Sequence, residues 1–497
     1  MRLGRIKLQG LTEFSGHSCY WSDTVLIVTS AETLSTDLKY VLEDEQNESP
    51  ALDGATGELA ALAVAISSYE AAFVPALPRS MEQTGISEGF LEDLILKTLY
   101  SRGETIGRDL AGALGLKFSL IEPRVEFLKG QRLIQVKNSL GFGAVSAVFG
   151  MSDAGRIRVR ECLEQNQYVG PMPVPIEQYC TAVRAQRLKS GWLTLEALQQ
   201  AYRGMIVSAD VLGQIGPAVN SGKSLLIYGQ PGNGKSYLAE ALCGVNESAI
   251  YVPYAIEYQG NVIKVFDPIH HSRMDEDGDL AASVTSEVRY DSRWARCRRP
   301  FIVTGGELSI DMLDLGYNSI SKVYDAPFHL KANNGIYLID DFGRQKSSPA
   351  ELLNRWIVPM DRRVDYLSFN TGGKVEVPFD AFVIFSTNLQ PEQLGDEAFL
   401  RRIQYKLLLR SPARQEFLEI FQAYCGSQGL QCSEALVSGF MEKHYEKTGK
   451  RFRRCHPRDV ISHAADLIGF ERLPMELTET LLDRAFESCF VSSETDE

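Results

Sequence analysis

At 497 residues with 44% hydrophobic content, the chain can bury more than one core, and ordinary domain sizes suggest roughly three or four units. A net charge of −13 weighs against a general binder of nucleic acid or of acidic membranes, leaving only a local basic face open for such a role. Nine cysteines with no CxxC pair exclude a zinc knot and fit reduced thiols better than a disulfide framework. No charged-then-apolar signal opens the chain, and the apolar stretch Leu59 to Ile66 is too short to span a bilayer, so a cytoplasmic location is expected.

Residues 1–78 hold a strand-like run, Thr24 to Val28, a helical stretch from Leu34 to Leu42 and a polar segment from Glu43 to Gly57. Their start resembles the first strand and helix of a receiver domain without its acidic phosphorylation pocket, and the fold of this region stays open. Over 79–168 the pattern sharpens. Phe90-Leu91, Leu94-Ile95 and Thr98-Leu99 share one helical face, Thr105 to Leu114 reads as a second helix, and a third is expected from Ser119, with Ser119 and Glu122 as a capping box. Two strands, Leu133 to Lys137 and Val145 to Phe149, flank a glycine-bearing turn, and a helix follows from Asp153. Three helices and a hairpin resemble a winged helix-turn-helix domain. Glu122 and Glu126 alternate with Arg124 and Lys129 on the third helix, however, where a groove reader needs uncompensated cations, so protein docking is favoured over DNA.

A proline-rich join, Gly170 to Pro175, opens a linker assigned to 169–200 and is expected to be an extended, semi-rigid spacer. A capped helix from Ser208 then leads to the strand Leu225 to Tyr228 and to Gly229-Gln230-Pro231-Gly232-Asn233-Gly234-Lys235-Ser236, a complete GxxxxGK[ST] loop followed by the helical Tyr237 to Leu242. Glycines let successive amides face one centre, Lys235 neutralises outer phosphates and Ser236 ligates Mg²⁺, so this stretch is the expected seat of a triphosphate. A nearby GKS, Gly222-Lys223-Ser224, has Pro217 where the first glycine belongs and no strand before it, and is discarded. The adjacent His270-His271 reads as loop rather than metal site.

A second strand, Ile336 to Ile339, ends in Asp340-Asp341; the first acid is expected to hold the metal and the second to polarise the attacking water. A third, Ala381 to Phe385, leads to Asn388, whose amide is placed to orient that water. Farther on stand Asp396 to Ile403 and His456-Pro457-Arg458-Asp459. In this order the segments resemble the Walker A, Walker B, sensor 1, arginine-finger and sensor 2 motifs of AAA+ ATPases, over residues 200–492. The resemblance implies ATP and Mg²⁺ as cofactors, Arg402 or its neighbour Arg401 as a finger reaching the next subunit's γ-phosphate, Arg458 as the lid arginine, and a ring-like homo-oligomer such as a hexamer. The competing reading of Arg401-Arg402 is a solvated basic pair.

Two departures stand out: Asp341 where the family has glutamate, and about a hundred residues between Ser236 and Asp340, which imply an insertion including the charged loop 270–279. Val364 to Phe369 and Lys374 to Val377 flank a glycine turn and resemble the pre-sensor-1 hairpin of the branch holding MoxR-type chaperones and magnesium chelatases. Four helical stretches beyond Ser411 match an AAA+ lid. The expected fold is thus α/β: a P-loop parallel sheet over 201–410, a helical lid over 411–497 and a winged helix in front. The expected function is ATP hydrolysis coupled to remodelling of a protein client. A DNA-dependent ATPase and a slowly hydrolysing scaffold remain as alternatives.

Overall fold

Continuous apolar runs build the central sheet of the computed structural model, which describes residues 73–490 apart from 142, 190, 247, 275–289 and 396. Its strands are β1 Leu225–Tyr228, β2 Phe301–Thr304, β3 Ile336–Ile339, β4 Phe382–Thr387 and β5 Tyr405–Leu408, all parallel, in spatial order β2-β3-β4-β1-β5. Alternate residues face opposite layers. Leu225, Ile227, Leu338 and Ile384 pack with helices Leu195–Ala201, Ala209–Ser221 and Lys235–Ala241. Leu226, Tyr337, Ile339 and Phe385 pack with helix Pro349–Arg362, whose Trp356 meets Tyr337 and Phe385 edge-on. Burial on both faces is why these strands read as unbroken hydrophobic runs rather than alternating ones. The carboxyl end of β1, between strands that come much later in the chain, opens the kind of crevice where such sheets take ligands.

The expectations placed on residues 1–72 lie outside the described residues. Beyond them come helices Glu88–Arg102, Gly107–Leu114 and Phe118–Gly130, a small antiparallel sheet of Thr105–Ile106, Ala147–Met151 and Ile134–Ser139, and helix Asp153–Gln165. The third helix starts one residue before the expected Ser119, with Lys117 at its cap and no side-chain capping bond, so the expected capping box does not form. Thr105 and Ile106 pair with Phe149 and Val148 as a strand instead of extending the second helix.

The proline-rich join is no free spacer. Met172 and Val174 are fully buried, Val174–Pro175 pairs in parallel with Ile256 and Glu257, and helix Ile176–Ala185 packs into the same core. Three prolines fix an extended backbone, but the apolar side chains between them find a sheet edge to cover. The insertion between β1 and β3 supplies the rest of that sheet, Gly316–Asn318, Val323–Asp325, Asn261–Lys264 and Ala255–Tyr258 in order, with Val174–Pro175 of the join added at its edge, beside the pair Ile250–Pro253 and Trp294–Cys297. Ala255, Val262 and Val323 also enter the core of the N-terminal helices, so helices, join and insertion share packing.

The hairpin Val364–Ser368 and Lys374–Pro378 buries Leu367, Val375 and Val377 in the insertion's core, and Phe369 stacks on Tyr258 at 5.8 Å. Its anchor is Asp365, 1% exposed, gripped by Arg355 through Oδ1 at 2.6 Å and Oδ2 at 2.9 Å. His329 Nε2 lies 2.8 Å from Oδ2, off the line of a well-formed hydrogen bond. Burial alone would raise the Asp365 carboxyl; the His329 and Arg355 contacts outweigh it and hold the group at about 2. With an unfolded value near 3.9, that depression contributes about 2 to 3 kcal/mol above pH ~4, lost as pH falls through about 2. Asp365→Asn is expected to forfeit this at pH 7 and to flatten the stability–pH curve between pH ~4 and ~2, measured by denaturant unfolding; an unchanged curve removes Asp365 as the acid-sensitive anchor.

The chain closes with helices Arg414–Ser427, Glu434–Met441, Cys455–Glu471 and Glu479–Cys489 around their own core of Phe417, Phe421, Phe440, Tyr445 and Phe486.

Candidate active site

Beyond β1 the loop Gly229 to Gly234 curls with three glycines at positive φ: Gly229 at 145°, Gly232 at 77° and Gly234 at 82°. Two also have no room for a side chain. A Cβ on Gly229 would lie 2.4 Å from the Leu409 carbonyl oxygen, and one on Gly232 would lie 2.6 Å from Cys455 Sγ. Asn233 is buried and donates to the Leu409 carbonyl at 3.2 Å, while its own Oδ1 has no partner among the described residues. Pro231 and Tyr237 are exposed.

Lys235, 6% exposed, turns its ammonium back across the loop, donating to the carbonyls of Gly229 and Gln230 at 3.1 Å each and to Asn388 Oδ1 at 2.6 Å. Burial pushes its pKa down, and Asp340 and Asp341 pull against that shift. Asn388, just past β4, passes the contact on: its amide donates to Asp341 Oδ1 at 2.8 Å. Ser236 Oγ donates to Asp340 Oδ2 at 2.7 Å. Adjacent strand ends thus bring Lys235, Ser236, Asp340, Asp341 and Asn388 into one hydrogen-bonded set. The Ser236 hydroxyl beside the Asp340 carboxylate is a hard-oxygen pair that suits Mg²⁺, which is usually held by few protein ligands plus phosphate and water.

Asp341 sits at φ 48°, a left-handed backbone that aspartate tolerates and longer acids disfavour. Gln345 braces the turn, donating to the Asp340 and Asp341 carbonyls at 2.9 and 3.2 Å. The short acid therefore has a backbone reason. Asp341→Glu is expected to cost about 1 kcal/mol, read by denaturant unfolding. A variant as stable as the parent would mean the backbone does not dictate the choice.

Arg458 carries a side chain 63% exposed and pairs with its neighbour Asp459 at 2.9 Å rather than with the loop. The C-terminal helices reach the loop through residues the motif reading missed: Arg453 donates to Gln230 Oε1 at 3.2 Å and to Ser411 Oγ at 3.1 Å, and the Cys455 amide donates to the Gly232 carbonyl at 2.9 Å. The basic run Lys450 to Arg454, just before His456, was the available signal.

Arg401 and Arg402 stand at the other end of the sheet. Arg401 is exposed, and Arg402 pairs with Asp361 at 3.4 Å while its carbonyl accepts from Ser224, the residue before β1. A four-residue strand spans about 13 Å, so neither guanidinium can serve the loop of its own chain. His270-His271 is structural: His271 Nδ1 accepts from the Asp267 amide and Nε2 meets the Lys331 carbonyl. Among the described residues no group of three or more histidine, cysteine or acidic side chains could hold a metal, and no helix is long and apolar enough to cross a membrane.

A family model described as a domain of unknown function, DUF8689, matches residues 413–488, the C-terminal helices. No curated protein matches the chain. Among solved structures, two mutant forms of RuvB from Thermotoga maritima are 13% and 14% identical, each covering 61% of this chain and 73% of its own, at a TM-score of 0.30. NtrX from Brucella abortus is 11% identical, covering 69% of this chain and 60% of its own, at a TM-score of 0.27. Likeness this distant adds nothing to what the site's own residues say.

Proposed function

We propose that the chain is an AAA+-type ATPase whose hydrolysis drives remodelling of a protein client by a ring-like homo-oligomer. The observation that carries this reading is the hydrogen-bonded set of Lys235, Ser236, Asp340, Asp341 and Asn388 at the carboxyl ends of neighbouring parallel strands. Loop amides and Lys235 would hold the β- and γ-phosphates of ATP, and Ser236 with Asp340 would hold Mg²⁺, which when bound supplies charge neutralisation at the phosphates. Asp341 and Asn388 would position a water in line with the γ-phosphorus. As its oxygen bonds to phosphorus, the bond to the ADP oxygen breaks and Asp341 accepts the proton.

The test is turnover and binding measured together in the assembled protein. Asp341→Asn is expected to keep ATP affinity within about threefold and to lower turnover at least about 100-fold, in line with loss of general-base help. Turnover unaffected by the substitution removes Asp341 from catalysis and favours the slowly hydrolysing scaffold. Trapping partners on Asp341→Asn held with ATP then identifies the client. The third N-terminal helix speaks against DNA: Arg124 is tied to Glu88 at 2.7 Å and Glu92 at 3.3 Å, and Lys129 to Glu126 at 2.7 Å, leaving little free charge for phosphate neutralisation. ATP turnover stimulated by DNA with steep salt dependence would reverse that choice.

A further inference from the structure

The discarded Gly222-Lys223-Ser224 has a place in the fold. Gly222 caps helix Ala209–Ser221 at φ 62°, and the segment forms one wall of a cavity of about 520 Å³ at the amino ends of the strands. The floor is made where the sheet begins, at Ser224 before β1, Pro300 before β2, Ile336 in β3, Phe382 in β4 and Gln404 before β5. This is the end of the sheet away from Lys235.

Five cations line the cavity: Arg187, Lys223, Arg299, Arg363 and Arg402. Among the described residues that line it, Asp361 and Asp380 oppose them, an excess of three positive charges inside a chain whose net charge is −13. The two acids are already engaged, Asp380 with Arg187 at 2.5 Å and Asp361 with Arg402 at 3.4 Å. Among the described residues Arg299 donates to neutral oxygens, the Asn334 carbonyl at 2.7 Å, the Gln186 carbonyl at 3.1 Å and Ser248 Oγ at 3.0 Å. Arg363 donates to the Gly222 carbonyl, at the negative end of a helix. Burial pushes the Arg299 guanidinium down to about 10 against the pull of Asp380, and pushes Arg363 down as well. One carboxylate, Asp380, is thus shared among Arg187, Arg299 and Arg363; withdrawing three cations from water against a single anion is costly, and a bound anion offsets that cost. Trp192 and Phe382 add apolar wall beside the charge.

We infer that this cavity is a second ligand site, separate from the Lys235 loop, that takes a phosphorylated small molecule of nucleotide size. Phosphate oxygens meet Lys223, Arg299 and Arg363, and the organic part lies toward Trp192 and Phe382. Because the walls are the starts of the same strands whose far ends carry the candidate active site, an occupant stiffens the sheet from its other end.

The inference does not depend on the ATPase reading, and the test keeps the two apart. Full-length protein is titrated calorimetrically with ADP and, separately, with pyrophosphate. The parent is expected to bind two equivalents of ADP, Lys235→Ala one, and Lys223→Glu one. Lys223 is exposed and sits outside the sheet, so its replacement spares the fold; Arg363→Gln, checked for an unchanged melting temperature, serves as the second cavity variant. In the Lys235→Ala background, either cavity substitution is expected to weaken the remaining site at least tenfold for both probes. Absence of ADP and pyrophosphate binding in Lys235→Ala overturns the inference, as does residual binding indifferent to Lys223→Glu and Arg363→Gln. Single-site binding lost with the cavity variants but kept in Lys235→Ala would leave the cavity standing and sink the loop as the nucleotide seat.

Discussion

Lys235→Ala is expected to abolish ATP binding at the loop, weakening it at least about 100-fold, or close to 3 kcal/mol at 1.4 kcal/mol per decade. Charge-assisted hydrogen bonds contribute about 1.5 to 3 kcal/mol each, and the Lys235 ammonium has more than one phosphate oxygen within its reach in this motif. It is also the donor that joins the loop carbonyls of Gly229 and Gln230 to Asn388. Removing it takes away the positive charge that favours the outer phosphates and leaves Asn388 Oδ1 without its short partner. The folded state should survive, because burial already disfavours this ammonium, so its loss relieves a desolvation cost. Titration of a fluorescent ATP analogue, with the melting temperature of the unliganded protein as the fold control, checks both halves. An intact fold with loop affinity within threefold of the parent sinks the phosphate assignment.

The site was legible because its chemistry is local. Gly229 to Ser236 can be read from eight consecutive residues, and each acid or amide that joins them stands at the tip of a strand whose apolar run announces it. Asn388 linking Lys235 to Asp341 was not legible, since side-chain partners across three strands leave no spacing in the sequence. The same limit hid Arg453 and Cys455 at the loop: their contact depends on how the C-terminal helices lie against it. The proline-rich join failed for another reason. Pro171, Pro173 and Pro175 fix an extended backbone without saying whether it lies in water or on a sheet edge, and the buried Met172 and Val174 settle that by packing. Asp341 stood out in the sequence as a departure from the family's glutamate; its positive φ supplies a backbone reason for the shorter side chain that no motif comparison contains.

Arg402→Ala is expected to leave ATP binding within about twofold and to cut turnover of the assembled protein by about 10³-fold or more, the range for an arginine finger supplied by a neighbour. The geometry behind this is separation. Ser224, whose hydroxyl meets the Arg402 carbonyl, precedes β1, and Lys235 follows it, so the guanidinium and the loop of one chain lie at opposite ends of a packed sheet. Little stability should be lost, because the contact with Asp361 is half-exposed and such pairs contribute about 1 kcal/mol or less. A mixing experiment separates a finger acting between subunits from a local effect on the fold. Lys235→Ala protein keeps its arginine and lacks a working loop; Arg402→Ala protein has the reverse defect. Combined in one oligomer they form some interfaces with an intact loop on one side and an intact arginine on the other, so the mixture is expected to regain a measurable fraction of turnover that neither protein shows alone. If Arg402→Ala is fully active, or if mixing restores nothing while mixed oligomers form, Arg402 does not act across an interface and the solvated basic pair is the better description.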